Sequence, residues 1–222
     1  MVSPGWTGNP VQHDEMCRLY YRHAHLLEYG VDLEGRQLFL VGDVTSPNIE
    51  NMVSSLHLMN TRGSDPINLV INSAGGSDDM MLYMYDAITS SLAPIRTIGT
   101  GMICSAAALL LVAGDRRYTT PNAWFMTHKG KFTLEGDEDE IHAASQLSRN
   151  VSDRYWKLIA RHTKHSARWW FKKSKGQGEL WLDADDMVEH GVVDEILMPA
   201  RRELEPLSKR RVQGDEPEEG EE

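Results

Sequence analysis

Short apolar runs alternate with segments of helical periodicity along the first half of the chain, and this alternation constrains the fold more than any other feature. The predicted short buried strands are residues 37–41, 67–72, 95–99, 117–120 and 123–127. The predicted helices between them are residues 47–58, 80–90 and 105–113, which carry apolar side chains at helical spacing. Strands that alternate with helices in this way indicate an α/β fold with mainly parallel strand pairing.

The second half of the chain adds one long helix and several short elements. Residues 138–161 have the longest helical pattern, with apolar side chains along roughly one face. A basic, aromatic stretch at residues 168–175 is predicted to be a loop. Residues 183–190 are predicted to form a short helix that Gly191 ends, and residues 192–197 a terminal strand.

Three regions are expected along the chain. Residues 1–30 have no firm period and form an N-terminal segment of uncertain order. Residues 31–200 form the globular domain, and residues 201–222 form a tail that ends in an acidic run. A run of acidic residues without apolar side chains is typical of a solvated, disordered tail, although it can also serve an interaction.

Composition limits the classes of function. Of the 222 residues, 41% are hydrophobic, which is enough for the core of one domain. The formal net charge of −10 argues against general nucleic-acid binding, which needs clustered lysine and arginine. The longest apolar run is too short to span a membrane and the N-terminus does not resemble a signal peptide, so we expect a cytoplasmic protein. Cys17 and Cys104 lie far apart, which indicates neither a disulfide framework nor a metal cluster.

Ser105 carries the single hydroxyl group in the apolar run of residues 101–114. At a helix start such an oxygen can cap backbone N–H groups, which is the commoner role, or it can be a nucleophile. Nucleophilic catalysis also needs a base, and His128 at the end of a predicted strand is a candidate. It needs backbone donors for an oxyanion, and Gly75 and Gly76 after the second strand are candidates. The glycines can equally be a simple turn and the histidine a surface residue.

Four ordered motifs identify a family that the chain resembles. They are INSAGG at residues 71–76, GMICSAAALLLVAG at 101–114, PNAWFMTH at 121–128 and ADDMVEHGVVD at 184–194. Their order and spacing are similar to those of the ClpP family, the proteolytic subunit of the Clp protease, and the likeness extends from about residue 36 to residue 197. The resemblance implies a serine peptidase with the ClpP/crotonase-like fold of stacked βαβ units. It also implies that residues 138–161 form a handle helix that projects from the globular head.

The resemblance assigns a role to each candidate residue. Ser105 corresponds to the nucleophile and His128 to the general base, while the oxyanion would be bound by backbone N–H groups of Ala106 and of Gly75 or Gly76. No metal and no organic cofactor are implied.

The third member of the triad is less clear, because Glu179 occupies the position where the family has an aspartate. Asp183 and Asp185 are the alternatives, although each can instead cap the helix that follows. Leu180 stands where the family has an arginine that ties two rings together, and residues 129–136 are bulkier and more charged than the family's glycine-rich strand.

The expected function is that of a self-compartmentalised serine endopeptidase that degrades unfolded polypeptides delivered by an AAA+ unfoldase. Its partners would be further copies of the chain in a seven-membered ring, stacked in pairs, or paralogous subunits in a mixed ring, with residues 1–30 as a propeptide or axial region. The alternatives are a catalytically silent ring-building subunit and a virus-type processing protease that needs no unfoldase. An acyl-CoA hydratase or isomerase of the shared fold is a weaker alternative, because it would leave Ser105 and His128 without a role.

Overall fold

A computed structural model describes residues 10–130, 133 and 135–198. The helices are α1 (Pro10–Tyr29), α2 (Ser46–Arg62), α3 (Asp78–Thr89), α4 (Ala106–Val112), α5 (Glu138–His162), α6 (Ala167–Gln177) and α7 (Ala184–Glu189). The strands are β1 (Val31–Asp32), β2 (Gln37–Val41), β3 (Ile67–Ser73), β4 (Ile95–Cys104), β5 (Arg116–Thr119), β6 (Trp124–His128), β7 (Glu179–Leu182) and β8 (Glu195–Ile196).

One sheet joins these strands, and most of its pairing is parallel. The strand order is β1-β2-β3-β4-β5-β8, and β6 pairs with β4 outside this path. Only the β1–β2 and β6–β7 pairs are antiparallel among the described strands. The predicted α/β class with mainly parallel pairing is therefore confirmed.

The long strand β4 changes neighbours along its length, and this change builds the edge on which the candidate site lies. Its first half pairs with β5 from Arg96 to Gly99, and its last residues, Met102 to Cys104, pair with β6. Both pairings are parallel, so the carboxyl ends of β4 and β6 lie at the same edge of the sheet. Ligands of α/β sheets bind at such edges.

The core lies between the sheet and helices α2, α3 and α4. Helix α4 is buried along its whole length because it consists only of alanine, leucine and valine. Alternate residues of β3 are buried, as the period of two of a strand requires. Burial of these apolar side chains is the main term that stabilises the domain.

Helix α5 projects for most of its length. It begins with a capping box between Asp137 and Glu140, in which each side chain accepts a hydrogen bond from the other residue's backbone N–H. Its buried residues, Tyr155, Trp156, Leu158 and Ile159, all lie in the last third, whereas Leu147 is 64% exposed. An ordinary core helix would bury its apolar face throughout, so the expected projecting helix is the better description.

The predicted loop at residues 168–175 is wrong, because these residues lie in helix α6. The Ser166 side chain caps this helix by accepting a hydrogen bond from the Trp169 N–H. Trp170 is fully buried against the core, and its indole N–H donates to the Thr163 hydroxyl at 2.8 Å. Burial of one large aromatic side chain therefore holds a helix in a stretch whose charges suggested a loop.

The ends of the chain are only partly described. The N-terminal segment contains a helix, α1, which is joined to β1 by an ion pair between Arg22 and Asp32 with an N–O distance of 2.5 Å. The predicted tail, residues 201–222, lies outside the described residues. Among the helices that the structure does describe, none combines the length and apolar character that crossing a bilayer requires.

Candidate active site

Ser105 lies in the tight turn that joins β4 to α4. Its backbone angles are φ 56° and ψ −119°, in the left-handed half of conformational space that non-glycine residues rarely adopt. Strain of this kind costs on the order of 1–3 kcal/mol and persists only where the surrounding structure imposes it. The side chain makes no capping hydrogen bond to α4, so the helix-cap interpretation of Ser105 does not hold.

His128 faces Ser105 across the edge of the sheet. It is the last residue of β6, and its Nε2 lies 2.9 Å from the Ser105 hydroxyl oxygen. The pairing of β4 with β6 fixes this approach, because the Ser105 backbone N–H donates to the Met126 carbonyl at 2.8 Å. A hydroxyl in contact with an imidazole is the arrangement that lets the histidine take the proton during nucleophilic attack.

Tyr155 and Gly75 also contact the backbone of the Ser105 turn. The Tyr155 hydroxyl of α5 donates to the Ser105 carbonyl at 3.0 Å. Gly75 packs directly over the turn, where a Cβ atom would lie 2.7 Å from the Cβ of Ser105 and 2.8 Å from the Cys104 carbonyl oxygen. A side chain at position 75 is therefore excluded by close approach, and its φ of +102° also requires glycine.

The three predicted oxyanion donors differ in whether their backbone N–H group already donates a hydrogen bond. The Gly75 N–H donates to the Ser73 hydroxyl at 3.1 Å. The N–H groups of Gly76 and Ala106 make no hydrogen bond to any residue that the structure describes. Gly76 and Ala106 are thus the predicted donors that stay available to a bound oxyanion.

Glu179 begins strand β7, directly opposite His128 in the antiparallel β6–β7 pair. Side chains of directly opposed residues extend from the same face with Cβ atoms about 4.5–5.5 Å apart. The Glu179 carboxylate accepts a hydrogen bond from the Trp181 indole N–H at 3.1 Å, and no hydrogen bond joins it to His128, although both residues are described. Glu179 is therefore a cross-strand neighbour of His128 without a hydrogen bond to the imidazole.

The two alternative carboxylates lie at the start of α7, Asp183 as its N-cap and Asp185 in its first turn. The Asp183 side chain caps this helix by accepting a hydrogen bond from the Asp186 N–H at 2.9 Å. Asp185 is exposed in the first turn of the same helix. Neither hydrogen-bonds His128 among the described contacts.

A cleft opens beside the Ser105 hydroxyl, and α3, α4 and α5 contribute to its walls. Asp78, the first residue of α3, lines it together with Ser105, Ala106 and His128. Burial raises the pKa of the Asp78 carboxyl, the charge of Asp79 adds to this rise, and the nearby His128 opposes it. The remaining lining residues are Gly130, Val151, Ser152, Tyr155 and Trp156.

Cys104 lies next to Ser105 but does not share its reactivity. The thiol is buried, and burial together with the charge of Glu179 raises its pKa to about 11. A thiol must lose its proton to become a nucleophile, so Cys104 is inert at neutral pH. Among the described residues no group of histidine, cysteine, aspartate and glutamate side chains could hold a metal ion.

Comparison with known proteins adds the family. The family model for Clp protease matches residues 24–200, which is most of the chain. The chain belongs to the Clp protease family. The predicted resemblance and the predicted fold class are thereby confirmed, and the chain is a ClpP-type protease and, in general terms, a serine peptidase.

Its relatives within the Clp protease family are moderately similar and cover most of the chain. The ATP-dependent Clp protease proteolytic subunit 2 of Pseudomonas aeruginosa is 28% identical over 80% of this chain and 88% of its own length. The subunit of the same name from Treponema denticola is 31% identical over 74% of this chain and 82% of its own length. The ATP-dependent Clp protease proteolytic subunit 1 of Rhodopirellula baltica is 29% identical over 84% of this chain and 83% of its own length.

Sequence reasoning missed two residues of this ClpP-type site. Tyr155 lies in the helical pattern of residues 138–161, where its spacing indicates only an apolar face, and the hydrogen bond of its hydroxyl to Ser105 depends on how α5 docks. Asp78 gave one signal that could have been read, because it is charged and lies two residues after the Gly75-Gly76 turn that approaches Ser105.

Proposed function

We propose that Ser105, His128 and Glu179 form the catalytic triad of this chain and that it is an endopeptidase. The observation that carries the proposal is the 2.9 Å contact between His128 Nε2 and the Ser105 hydroxyl oxygen. The strained backbone of Ser105 supports it, because strain in a well-packed turn is common where a side chain must be presented for chemistry.

The proposed reaction follows from these contacts. His128 Nε2 takes the hydroxyl proton as the Ser105 oxygen attacks the substrate carbonyl carbon. The imidazolium then gives this proton to the amine nitrogen as the C–N bond breaks, which leaves an acyl group on Ser105. Water, deprotonated by the same nitrogen, releases the acyl group as a carboxylic acid and restores the serine.

The oxyanion of the tetrahedral intermediate would be bound by the N–H groups of Gly76 and Ala106. Both lack another acceptor among the described residues, and donors that are already positioned need no reorganisation when charge develops. Gly75 would serve chiefly by close packing, since its N–H is engaged by Ser73.

Glu179 would orient the imidazole and stabilise its cation. Its place opposite His128 in the β6–β7 register puts the two side chains on one face of the sheet. For this role the Glu179 side chain would have to rotate, so that its carboxylate exchanges the hydrogen bond from Trp181 for one from His128 Nδ1.

The broader function would be that of a proteolytic subunit in a compartment fed by an AAA+ unfoldase. The relatives named above are called proteolytic subunits of an ATP-dependent protease. This sequence contains no Gly-x-x-x-x-Gly-Lys-Ser/Thr phosphate loop, so ATP would be hydrolysed by a separate partner. Substrates would be unfolded polypeptides bound in extended form, and the chain would assemble as a ring with itself or with paralogous subunits.

The test is labelling by a fluorophosphonate serine probe, measured by intact mass on protein that light scattering shows to be assembled. We expect stoichiometric labelling that Ser105→Ala abolishes. Glu179→Gln should slow labelling by at least about a hundredfold, since removal of the third triad member is costly in serine proteases. Asp185→Ala, which removes an exposed carboxylate of α7, is the control and should label at the unmodified rate.

Two results would change the assignment. Labelling of Glu179→Gln at the unmodified rate would remove Glu179 from the triad and leave a Ser-His dyad. Assembled protein that fails to label at all would favour the silent ring-building subunit, for which the absence of a His128–Glu179 hydrogen bond is the specific observation.

A further inference from the structure

The cleft beside Ser105 is placed to receive one particular substrate side chain. In a peptide held for attack, the carbonyl carbon lies at the Ser105 hydroxyl, and the side chain of the residue that supplies this carbonyl branches from the Cα atom bonded to that carbon. The cleft that contains Ser105, Ala106 and His128 on its wall is the space next to that carbon. Its lining therefore determines which residue is accepted immediately before the cleaved bond.

Asp78 gives this lining a negative charge. Its carboxylate is half-buried in the cleft and makes no hydrogen bond or ion pair with any residue that the structure describes. The other charged or titratable groups that act on it are Asp79, of the same sign, His128 and the buried phenol of Tyr155. A desolvated carboxylate without a cation is complementary to a substrate cation.

We infer that Asp78 makes this protease favour lysine or arginine immediately before the cleaved bond. The inference rests on the proposed function, because it assumes that Ser105 is the nucleophile. The enclosed space of the cleft is only about 30 Å³, so the methylene stem of such a side chain would lie across the cleft mouth, against the edges of Tyr155 and Trp156. Its charged end would then meet the half-buried carboxylate of Asp78.

The charge preference is confined to this one position. A neighbouring groove meets the cleft at Gly130 and Ser152 and carries Lys129, Arg149 and Asp153 on its wall. The two cations outnumber the one carboxylate, so a substrate cation that lay in the groove would meet a net positive charge. Lysine moved to an adjacent position of the peptide should therefore bring no gain.

A competing preference has its own structural basis. The indole N–H of Trp156 is buried and has no acceptor among the described residues. If this donor dominated recognition, an uncharged acceptor such as glutamine would be the favoured side chain instead of a cation.

The experiment compares fluorogenic peptides that differ only in the residue before the cleaved bond: lysine, arginine, norleucine, glutamine or glutamate. Norleucine has the length of lysine without its charge, so the lysine-to-norleucine ratio of kcat/KM isolates the charge term. We expect a ratio of about tenfold or more in the unmodified protein, because charge pairs at partly desolvated sites reach this size. The ratio should fall to about one in Asp78→Asn and persist in Asp78→Glu.

Asp79→Asn is the matched control. Asp79 is the next residue in the first turn of α3, carries the same charge, and does not line the cleft. It should leave the ratio unchanged, whereas a general effect of charge at the start of the helix would alter both variants equally.

Each outcome decides between the proposals. An active protein with a ratio near one, an unchanged ratio in Asp78→Asn, or a highest rate with glutamine would overturn the role of Asp78 and leave the triad intact. Loss of the preference in Asp79→Asn as well would assign it to overall charge. Failure of every peptide, together with no fluorophosphonate labelling, would overturn the proposed function and this inference with it.

Discussion

Substitution of Gly75 by alanine tests whether the close packing of this residue shapes the catalytic turn. Its effect on activity can be distinguished from the stability cost of a side chain at positive φ. The new Cβ would lie 2.8 Å from the Cys104 carbonyl oxygen and 3.0 Å from the Ala106 nitrogen, where ordinary contact begins at 3.4 Å. The turn must therefore open by roughly half an ångström at atoms that flank the nucleophile and one proposed oxyanion donor.

The expected losses can be estimated from this geometry. A non-glycine residue at φ +102° costs about 1–3 kcal/mol of stability, which corresponds to a fall in Tm of roughly 2–12 °C for a chain of this size. Loss of one oxyanion donor lowers kcat about a hundredfold or more, and a displacement of the nucleophile has a similar effect. We therefore expect Gly75→Ala to lower kcat/KM at least about a hundredfold while the protein still folds.

Gly42→Ala is the matched control, because Gly42 also has a positive φ of +89° but its added Cβ would meet no atom within 4 Å. It should lose only the stability that the positive φ costs, and it should keep its peptidase activity. The assays are circular dichroism melting at matched protein concentration, since assembly affects Tm, and hydrolysis of a fluorogenic peptide. Activity of Gly75→Ala within a few-fold of Gly42→Ala would refute the argument that close packing of Gly75 shapes the turn.

Two further substitutions test contacts that support the site and the C-terminal strand. Tyr155→Phe removes the hydrogen bond to the Ser105 carbonyl and should cost about 1 kcal/mol in a denaturant melt, with a fall in kcat and an unchanged Ser105 label stoichiometry; unaltered kcat would contradict a positioning role. Arg117→Ala should make stability less sensitive to acid. Burial alone would raise the pKa of Asp194, but hydrogen bonds and charge from Arg117 outweigh burial and hold this pKa below its usual range. The resulting stabilisation is complete above the unfolded-state pKa of about 4 and disappears as the pH falls through the lower folded value. The Tm should therefore decrease less steeply between pH 5 and about 3 in the variant than in the unmodified protein.

Regular elements with a clear period could be predicted closely from the sequence. Strand β2 has the predicted bounds, residues 37–41, because its apolar run is sharply ended by Gly42. Strand β4 was predicted to end at residue 99 but continues to Cys104, since pairing with β6 compensates for the glycines in its second half. That continuation cannot be read from local sequence, because it depends on a partner strand that lies twenty residues further along the chain.

Some features of the candidate site could likewise be predicted from the sequence, and others depend on the tertiary structure. The proximity of Ser105 and His128 follows from two strands that end at one edge, which the α/β pattern and the resemblance already indicated. Strand β7 was not predicted, because four residues after Gly178 are too few to show a period, and the position of Glu179 opposite His128 became visible only with the β6–β7 register. Asp78 acquires its significance only when α3, α4 and α5 meet around one cleft.

Helix α5 acts mechanically as a lever with its fulcrum beside the nucleophile. Tyr155 lies 17 residues after Glu138, the first residue of α5, and at a rise of about 1.5 Å per residue the free end of the helix lies some 25 Å from the buried turn that contains Tyr155. A displacement of about 2 Å at that free end tilts a rigid helix of this length by about 5° about the turn that contains Tyr155. The tilt moves the phenol whose hydroxyl donates to the Ser105 carbonyl. Any contact that loads the distant tip thus has a rigid mechanical route to the turn on which Ser105 lies.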